Sequence, residues 1–517
     1  STSFVLARES MRTMGTPLAR AVRAMGTRAM STERADVVVV GGGVAGAALA
    51  CALRANPVTE NLSVTVVDGN AIDARAPVEG ADARCVALTP RSRAFLEHRC
   101  GGAWSAMEAT GRAGAFSRMQ AWDGVGGGHV SYDAGEMGSA NLGHVVENSV
   151  VLEALEGKME ALGVRRVRGA TARAQETPDE DAPGTSARAT IETTVRGERG
   201  EEGTKETMEI ETKLIVAADG PKSATRQRAG IKIGGWGYGQ RAVVGTVRTD
   251  RPNATAWQRF LPTGPIALLP IGDGTRSNVV WTTTPSEAKR LAEETTDEEF
   301  AAEVNDALQG LGKYASAHQE NFNSFAALRF IEDATGQAFK PMARAARSAV
   351  SALVGVPLVD AAERDAEYDF APRFEYPPEC SSAGAQGSTR GSFPLSTHHA
   401  LRLTKPRLAL IGDAAHVVHP LGGQGLNLGL RDAELLADAI ADARALGQDI
   451  GSANALAVYA RNSVASNAPM MAALDGLQKL FSADARPVVL ARSAGLAAVN
   501  ATGPVRRKIA WYAMGAA

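Results

Sequence analysis

The chain has 517 residues, enough for two or more domains and a large core. Its net charge of −2 argues against nucleic acid as the main partner. The four cysteines, Cys51, Cys85, Cys100 and Cys380, are scattered without a CxxC pair; this suits a reducing compartment, excludes a disulfide framework, and leaves them as buried apolar side chains.

Ser1 to Arg34 carry Arg8, Arg12, Arg20, Arg23, Arg28 and Arg34 against Glu9 and Glu33, with frequent Ser and Thr. The segment reads as an organelle transit peptide, and composition does not separate mitochondrion from plastid. No apolar run reaches the length of a membrane span, which leaves association with a membrane surface open. Asp36 begins a different texture. DVVVV reads as a buried parallel strand, GGGVAG as a turn, ALACALRA as a helix and SVTVV as a second strand ending at Asp68. In Gly41-x-Gly43-x-x-Gly46 the first glycine permits the tight turn and the second lets backbone meet a pyrophosphate. The third lets helix and strand pack, and an acid about 20 residues on, here Asp68, can hold a ribose hydroxyl. Dinucleotide binding is the expectation.

Arg84, in ARCVALTPRSRAFLE, either reaches a phosphate or flavin edge or forms a surface salt bridge. Gly124 to Gly128 make a flexible turn after MQAWD, and Asn148 opens the helix NSVVLEALEGKMEAL. Glu176 to Lys213 reads as a hairpin of ARATIETTV and KETMEIETK with a solvated acidic tip, GERGEEG. In Leu214 to Ala229 a buried strand ends in Asp219-Gly220 and a helix begins. Asp219, Ser223 and Arg226 point together into the crevice at the strand's carboxyl end, or Asp219 and Ser223 cap the helix.

Trp236 to Pro285 is strand-rich (RAVVGTVRT, AWQRFLP, PIALLPI, SNVVWTTT) and reads as an antiparallel sheet in a second domain, suited to wall a substrate cavity. Glu287 to Leu311 and Met342 to Val354 read as helices, Asp360 to Gly391 as an insertion loop, and Phe393 to Thr397 as a last strand. Leu408, Leu410 and Ile411 form a buried strand ended by Gly412 and Asp413, followed by a loop with Pro420, Gly422, Gly423 and Gly425. A helix then runs to about Leu446. Leu428, Leu435, Leu436, Ala439, Ile440 and Ala443 lie on one side, Asp432, Glu434 and Asp438 are exposed, and Gly447 stops it. Glycines let backbone approach a flat ligand, and the N–H groups of a helix start stabilise an anion. The unit suits a cofactor with a sugar-alcohol chain and a ring that becomes anionic, as reduced flavin does. His416 and His419, near His398 and His399, have no third ligand placed with them, so no metal site is expected. The remainder is largely helical. Arg506, Arg507, Lys508, Trp511 and Tyr512 suit a packed terminal helix or surface attachment.

GxGxxG at Gly41, DG at Asp219 and GDAAHxxHPxxGQGxNxG from Gly412 to Gly429 occur in an order that resembles the class A flavoprotein monooxygenases of the para-hydroxybenzoate hydroxylase fold. MQAWD, GHVVENSVVLEAL, WGYGQRAVVGTV and AWQRFLPTGPIALLP look like the ubiquinone-biosynthesis hydroxylases. The tail LDGLQKLFSADARPVVLARSAGLAAVNATGP is similar to the eukaryotic mitochondrial members. The likeness spans Asp36 to Met514 and is weakest over Glu176 to Lys213 and Pro341 to Gly391.

The resemblance implies an α/β fold in three parts after a transit segment over 1–34. These are a discontinuous Rossmann-like FAD-binding domain (35–115, 148–235 and 395–447), a mixed or antiparallel-sheet substrate domain (116–147 and 236–394), and a C-terminal helical region (448–517). It places Gly41, Gly43 and Gly46 at the FAD pyrophosphate, Asp68 at the adenosine ribose and Arg84 at the flavin. Asp219 and Gly220 form a second FAD motif, and Asp413 meets the ribityl or phosphate region. Pro420, Gly422, Gly423, Gln424, Gly425, Leu426 and Asn427 line the isoalloxazine ring. The implied activity is hydroxylation of a polyprenylated 4-hydroxybenzoate-derived ring, at C5, by O2 through a flavin C4a-hydroperoxide, in ubiquinone biosynthesis. The implied electron donor is a ferredoxin with its reductase or NADPH. The implied setting is the matrix face of the mitochondrial inner membrane, held peripherally among other quinone-biosynthesis proteins. The resemblance names no catalytic base. A prenyl reductase, a halogenase or a non-catalytic FAD-binding subunit would use the same fold; the halogenase signature WxWxIP is absent.

Overall fold

The computed structural model describes residues 32–71, 82–178, 181, 184–195, 204–315, 374–384 and 390–515. Most of the expected transit segment, the GERGEEG tip and the Met342–Val354 helix lie outside these residues. β1 (Thr32–Val40), α1 (Val44–Ala55) and β2 (Val64–Asp68) come first, then β3 (Cys85–Leu88), α2 (Pro90–His98), β4 (Gly114–Phe116), β5 (Arg118–Asp123), β6 (His129–Asp133) and β7 (Gly143–Glu147). α3 (Asn148–Ala161), β8 (Arg165–Arg168), β9 (Ala170–Glu176), β10 (Ala187–Val195), β11 (Thr204–Ala217) and α4 (Ala224–Arg228) follow. A meander of β12 (Ile233–Thr249), β13 (Thr255–Leu261), β14 (Gly264–Ile271) and β15 (Arg276–Thr283) leads to α5 (Asp297–Gln309). Then come β16 (Cys380–Ser382), β17 (Gly391–Ala400), β18 (Thr404–Lys405), β19 (Leu408–Leu410) and β20 (His416–Val417). The chain closes with α6 (Gln424–Ala445), α7 (Ala453–Ser482), α8 (Arg486–Ala501) and α9 (Gly503–Ala513).

One sheet has the order β18-β19-β11-β1-β2-β8, with β10 and β9 continuing from β11. Val37 to Val40 are buried, as a central strand covered on both faces requires. α1 supplies small residues, Ala47, Ala48, Ala50 and Ala52, so that helix and sheet pack closely. The second sheet has the order β20-β17-β12-β15-β14-β13-β5-β6, with β16 beside β12. Its core, with Trp257, Trp281 and Val279, lies under Phe300, Val304 and Leu308 of α5. β3, β7 and β4 form a small third sheet.

Four expectations need correction. β1 begins at Thr32, inside the segment read as a leader, because Thr32 to Ala35 pair with Glu209 to Thr212 of the long hairpin strand. The domain boundary expected at 395 falls within β17, which pairs with β12 along Gly391 to Ala400 and belongs to the second sheet. Part of the expected 360–391 loop is strand: Cys380 to Ser382 pair with Val247 to Thr249. The helical stretch 287–311 is broken before Asp297, where Thr296 and Glu299 form a capping box that starts α5 afresh.

α8 fastens onto the second sheet through buried charge, and α9 onto the turn after β6 through a partly exposed pair. Arg492 of α8 donates to both oxygens of Asp123 at 2.7 and 3.1 Å, and to the carbonyls of Leu480, Phe481 and Ala483 at the end of α7. Arg506 of α9 pairs with Glu136 at 2.8 Å. Among the described residues no helix is long and apolar enough to cross a membrane.

Candidate functional site

β19, β11, β1 and β2 stand side by side and parallel, with Val40 opposite both Ala217 and Val67, and Ala217 opposite Leu410. Their carboxyl ends are therefore level. Gly41, Asp68, Ala218–Asp219 and Ile411–Asp413 all emerge at one sheet edge, the place where open α/β sheets bind ligands. Turns separated by up to hundreds of residues become neighbours through register alone.

The turns interlock. Gly41 has φ +112°, and a Cβ there would stand 2.2 Å from the Ala218 carbonyl oxygen. One at Gly46 would meet the Gly41 oxygen at 2.1 Å, and one at Gly42 would meet Asp68 Oδ2 at 2.4 Å. Gly412 abuts Ala45 and Gly429, which joins the third turn to the first. At Gly43, by contrast, nothing lies within 4 Å. Gly43 caps α1 without a side-chain bond, so an open space faces an uncapped helix start, the arrangement that accepts a phosphate.

In the second turn, Asp219 accepts the Ser223 hydroxyl and the Thr225 N–H, and Ser223 Oγ accepts the Arg226 N–H at 2.9 Å. Capping is thus the work of Asp219 and Ser223. The buried Arg226 donates to the Ala414 carbonyl at 2.8 Å, tying the DG turn to the GDAAH turn. Gly220 takes φ +81°, a left-handed conformation natural to glycine. The side chain of Arg84 is 72% exposed with Asp82 at 3.9 Å, as in the surface-pair reading.

Asp432, expected on the exposed side of α6, is fully buried. Its spacing shows why: Leu428, Asp432 and Leu436 fall at i, i+4 and i+8 on one face. Asp432 Oδ2 accepts the Gly412 N–H at 3.0 Å and meets His416 Nε2 at 2.6 Å. Oδ1 accepts Ser463 Oγ at 2.7 Å and Asn467 Nδ2 at 2.8 Å, both from α7. Burial opposes protonation of His416, yet the Asp432 carboxylate, aided by Asp413, raises its pKa. Residue-type reasoning missed Asp432, Ser463 and Asn467; the helical period at 432 was the available signal.

Asp413 has an exposed side chain that nonetheless stands deep among protein atoms, the signature of a cleft wall. Poor hydration there pushes its carboxyl above the ordinary range, with His416 opposing. Among the described residues none donates a hydrogen bond to it.

Beyond Asp413 the loop from Pro420 to Gly423 turns through two left-handed glycines, Gly422 and Gly423, into α6. Gln424 donates to the carbonyls of Gly422 and Ala513. The Asn427 side chain is committed to structure: Oδ1 accepts from Thr89 N and Ser92 Oγ, and Nδ2 donates to the Ala87 and Gly423 carbonyls. Leu426 packs against the main core, and Gly425 lies close to Val418. Val418 and Leu421 join an apolar cluster with Ala121, Val130, Phe260, Leu474 and Phe481, in which Phe260 and Phe481 stack at 3.7 Å. The C-terminal helices thus complete this wall, which no sequence motif announced. An open glycine face, an unpartnered carboxylate and an apolar wall fit a cofactor with a phosphate arm, a polyol and a flat ring.

Comparison with known proteins agrees with this geometry. A family model described as FAD binding domain matches residues 34–320 and 315–459. The chain is 34% identical to the mitochondrial ubiquinone biosynthesis monooxygenase COQ6 of Xenopus tropicalis, over 92% of this chain and 93% of that one. It is 28% identical to the 3-demethoxyubiquinol 3-hydroxylase of Escherichia coli, over 94% and 100%. The p-nitrophenol 4-monooxygenase PnpA of Pseudomonas putida shares the fold, with a TM-score of 0.61 at 17% identity over 93% of this chain and 97% of that one.

Proposed function

The chain belongs to the FAD-dependent aromatic monooxygenases of the ubiquinone-biosynthesis hydroxylase family, and from that premise we propose that it hydroxylates the ring of a polyprenylated 4-hydroxybenzoate-derived intermediate, at C5. The observation that carries this reading is the level meeting of three glycine-and-aspartate turns beside an apolar wall. In this reading Gly41, Gly43 and Gly46 hold the FAD pyrophosphate at the uncapped start of α1, and Asp68 holds the adenosine ribose. Asp413 meets the ribityl or phosphate region. Pro420 and Gly422 to Asn427 line the ring, Gly425 and Leu426 through backbone. Asp219, Gly220 and Arg84 complete the cofactor's surroundings, Asp219 by shaping its turn.

Bound FAD supplies the reduction of O2 and delivery of one oxygen atom to an electron-rich ring. The protein orients that ring, excludes water from the chamber, and presents the start of α6 to negative charge on the cofactor. Exposed Leu477, Leu480, Leu490, Ile509 and Trp511 on the C-terminal helices suit contact with the membrane that would hold a polyprenyl tail. The mitochondrial inner membrane, on its matrix face and beside other quinone-biosynthesis proteins, is the proposed setting.

The test is a purified, FAD-loaded sample given a prenylated phenol and O2. Substrate-dependent oxygen uptake and a product heavier by one oxygen, located at C5 by NMR, are expected. Oxygen uptake that yields only peroxide with every prenylated phenol would overturn the reading. Parallel reduction by NADPH and by ferredoxin with its reductase assigns the electron donor.

A further inference from the structure

A crevice of about 220 Å³ lies where α2, the first half of α6, the middle of α7 and the end of α9 meet. Of the residues assigned to the cofactor, Gln424 and Asn427 alone border it; Gly43, Asp68 and Asp413 do not. Its charged lining is Arg91 and Arg431 against Glu434, an excess of one positive charge. Both guanidiniums turn to the same oxygen, Glu434 Oε2, at 3.2 and 2.7 Å. Arg91 also donates to the Gly515 carbonyl at 3.3 Å. A guanidinium has five N–H donors, so each arginine keeps some unspent. The side chains of Arg91 and Arg431 are 36% and 23% exposed, so an incoming anion can reach them.

Phe95, Leu428, Pro469 and Met470 give the crevice an apolar side. Its volume falls below the roughly 300–1,000 Å³ of pockets that enclose a whole ligand, so it suits one end of a larger molecule. α7 shows where the other end would lie. Ala465 and Pro469 line the crevice and are also exposed, and the ridge continues at i+4 steps through Ala473 to Leu477, all exposed and uncharged. Ala468, Ala472 and Leu480 extend the neighbouring ridge. On α9, Ile509 and Tyr512 lie one turn apart, both exposed, and Tyr512 lines the crevice. An electropositive recess opening onto an uncharged helical face fits a molecule with an anionic head and a long apolar body. A free anion would use only the recess, and a protein surface only the face.

We propose that this crevice takes the phosphate of an anionic membrane phospholipid, with Arg91 and Arg431 as donors and the acyl chains along the outer face of α7. The assignment rests on the membrane contact proposed above and adds a headgroup preference to it. Arg91 and Gln424 also hold the Gly515 and Ala513 carbonyls, so the same site joins α9 to the loop assigned to the cofactor.

In the experiment the FAD-loaded protein is floated with vesicles of phosphatidylcholine alone and of phosphatidylcholine mixed equally with phosphatidylglycerol. Wild type is expected to bind both and to prefer the mixed vesicles by about tenfold or more. Arg431→Gln should lower that preference about fivefold, while Arg431→Lys, which keeps the charge, preserves most of it. Ala465→Trp alters no charge and fills the exposed rim; it should retain FAD and binding to the neutral vesicles but lose the preference. An Ala465→Trp variant that keeps the full preference reports general surface charge and overturns the proposal, as does a wild type that binds both vesicles equally. Release from the mixed vesicles when inorganic phosphate replaces chloride at equal ionic strength would mark a free-anion site and overturn it too. A wild type that binds neither vesicle overturns the membrane contact itself, and the proposal falls with it.

Discussion

At Gly41 a methyl group has nowhere to go, since the Ala218 carbonyl would lie 2.2 Å from it and φ is +112°. Gly41→Ala is expected to cost at least about 2 kcal/mol, read as a lowered urea midpoint; an unchanged midpoint would contradict the interlock. Asp413 behaves oppositely, because its carboxylate bonds to no described residue. Asp413→Ala should leave the thermal midpoint of the apoprotein nearly unchanged and weaken FAD binding about tenfold or more, measured by flavin fluorescence titration. The histidines give a pH signature. His419 has its pKa lowered to about 4 from a usual 6.5, so below pH 6.5 the unfolded chain binds a proton that the native ring refuses. Stability is then lost as pH falls from about 6.5 to 4, by up to about 3 kcal/mol. His398 and His399 shift in the same direction. His416 is raised, so its contribution is complete below 6.5 and is lost as pH rises through its native value. His419→Gln should lose less stability than wild type between pH 7 and 4 in urea titrations. The tight turns at the glycines were legible because their spacing marks where strand must turn closely into helix. Asp432 was not, because its charge outweighed its helical position in the reading.

Strands and the hairpin were legible as elements because alternating or continuous apolar runs set their period. The role of α7, α8 and α9 was not, since their apolar residues form no motif and their partners lie hundreds of residues away. Arg492 shows what holds them: both it and Asp123 are buried, and it also serves three carbonyls at the end of α7. Arg492→Met is expected to destabilise by about 3–5 kcal/mol, because it strands a buried carboxylate. Adding Asp123→Asn should recover part of that loss, and the double-mutant cycle in urea measures it. Strict additivity would mean that the pair has no coupling.

For the whole molecule, motif order announced the fold class, while the levelling of four strand ends came from register, which pattern does not encode. The boundary at 395 failed for the same reason: β17 joins a sheet whose other strands are distant in sequence. One shared carboxylate has a further consequence. Asp432 binds the Gly412 turn with one oxygen and Ser463 and Asn467 of α7 with the other. A ligand that steadies that turn therefore also steadies the tail, and the coupling must run equally in reverse. Filling the apoprotein with FAD should slow amide exchange along 453–482, and clipping that stretch should hasten flavin escape, so that flavin retention becomes a gauge of an intact carboxyl end.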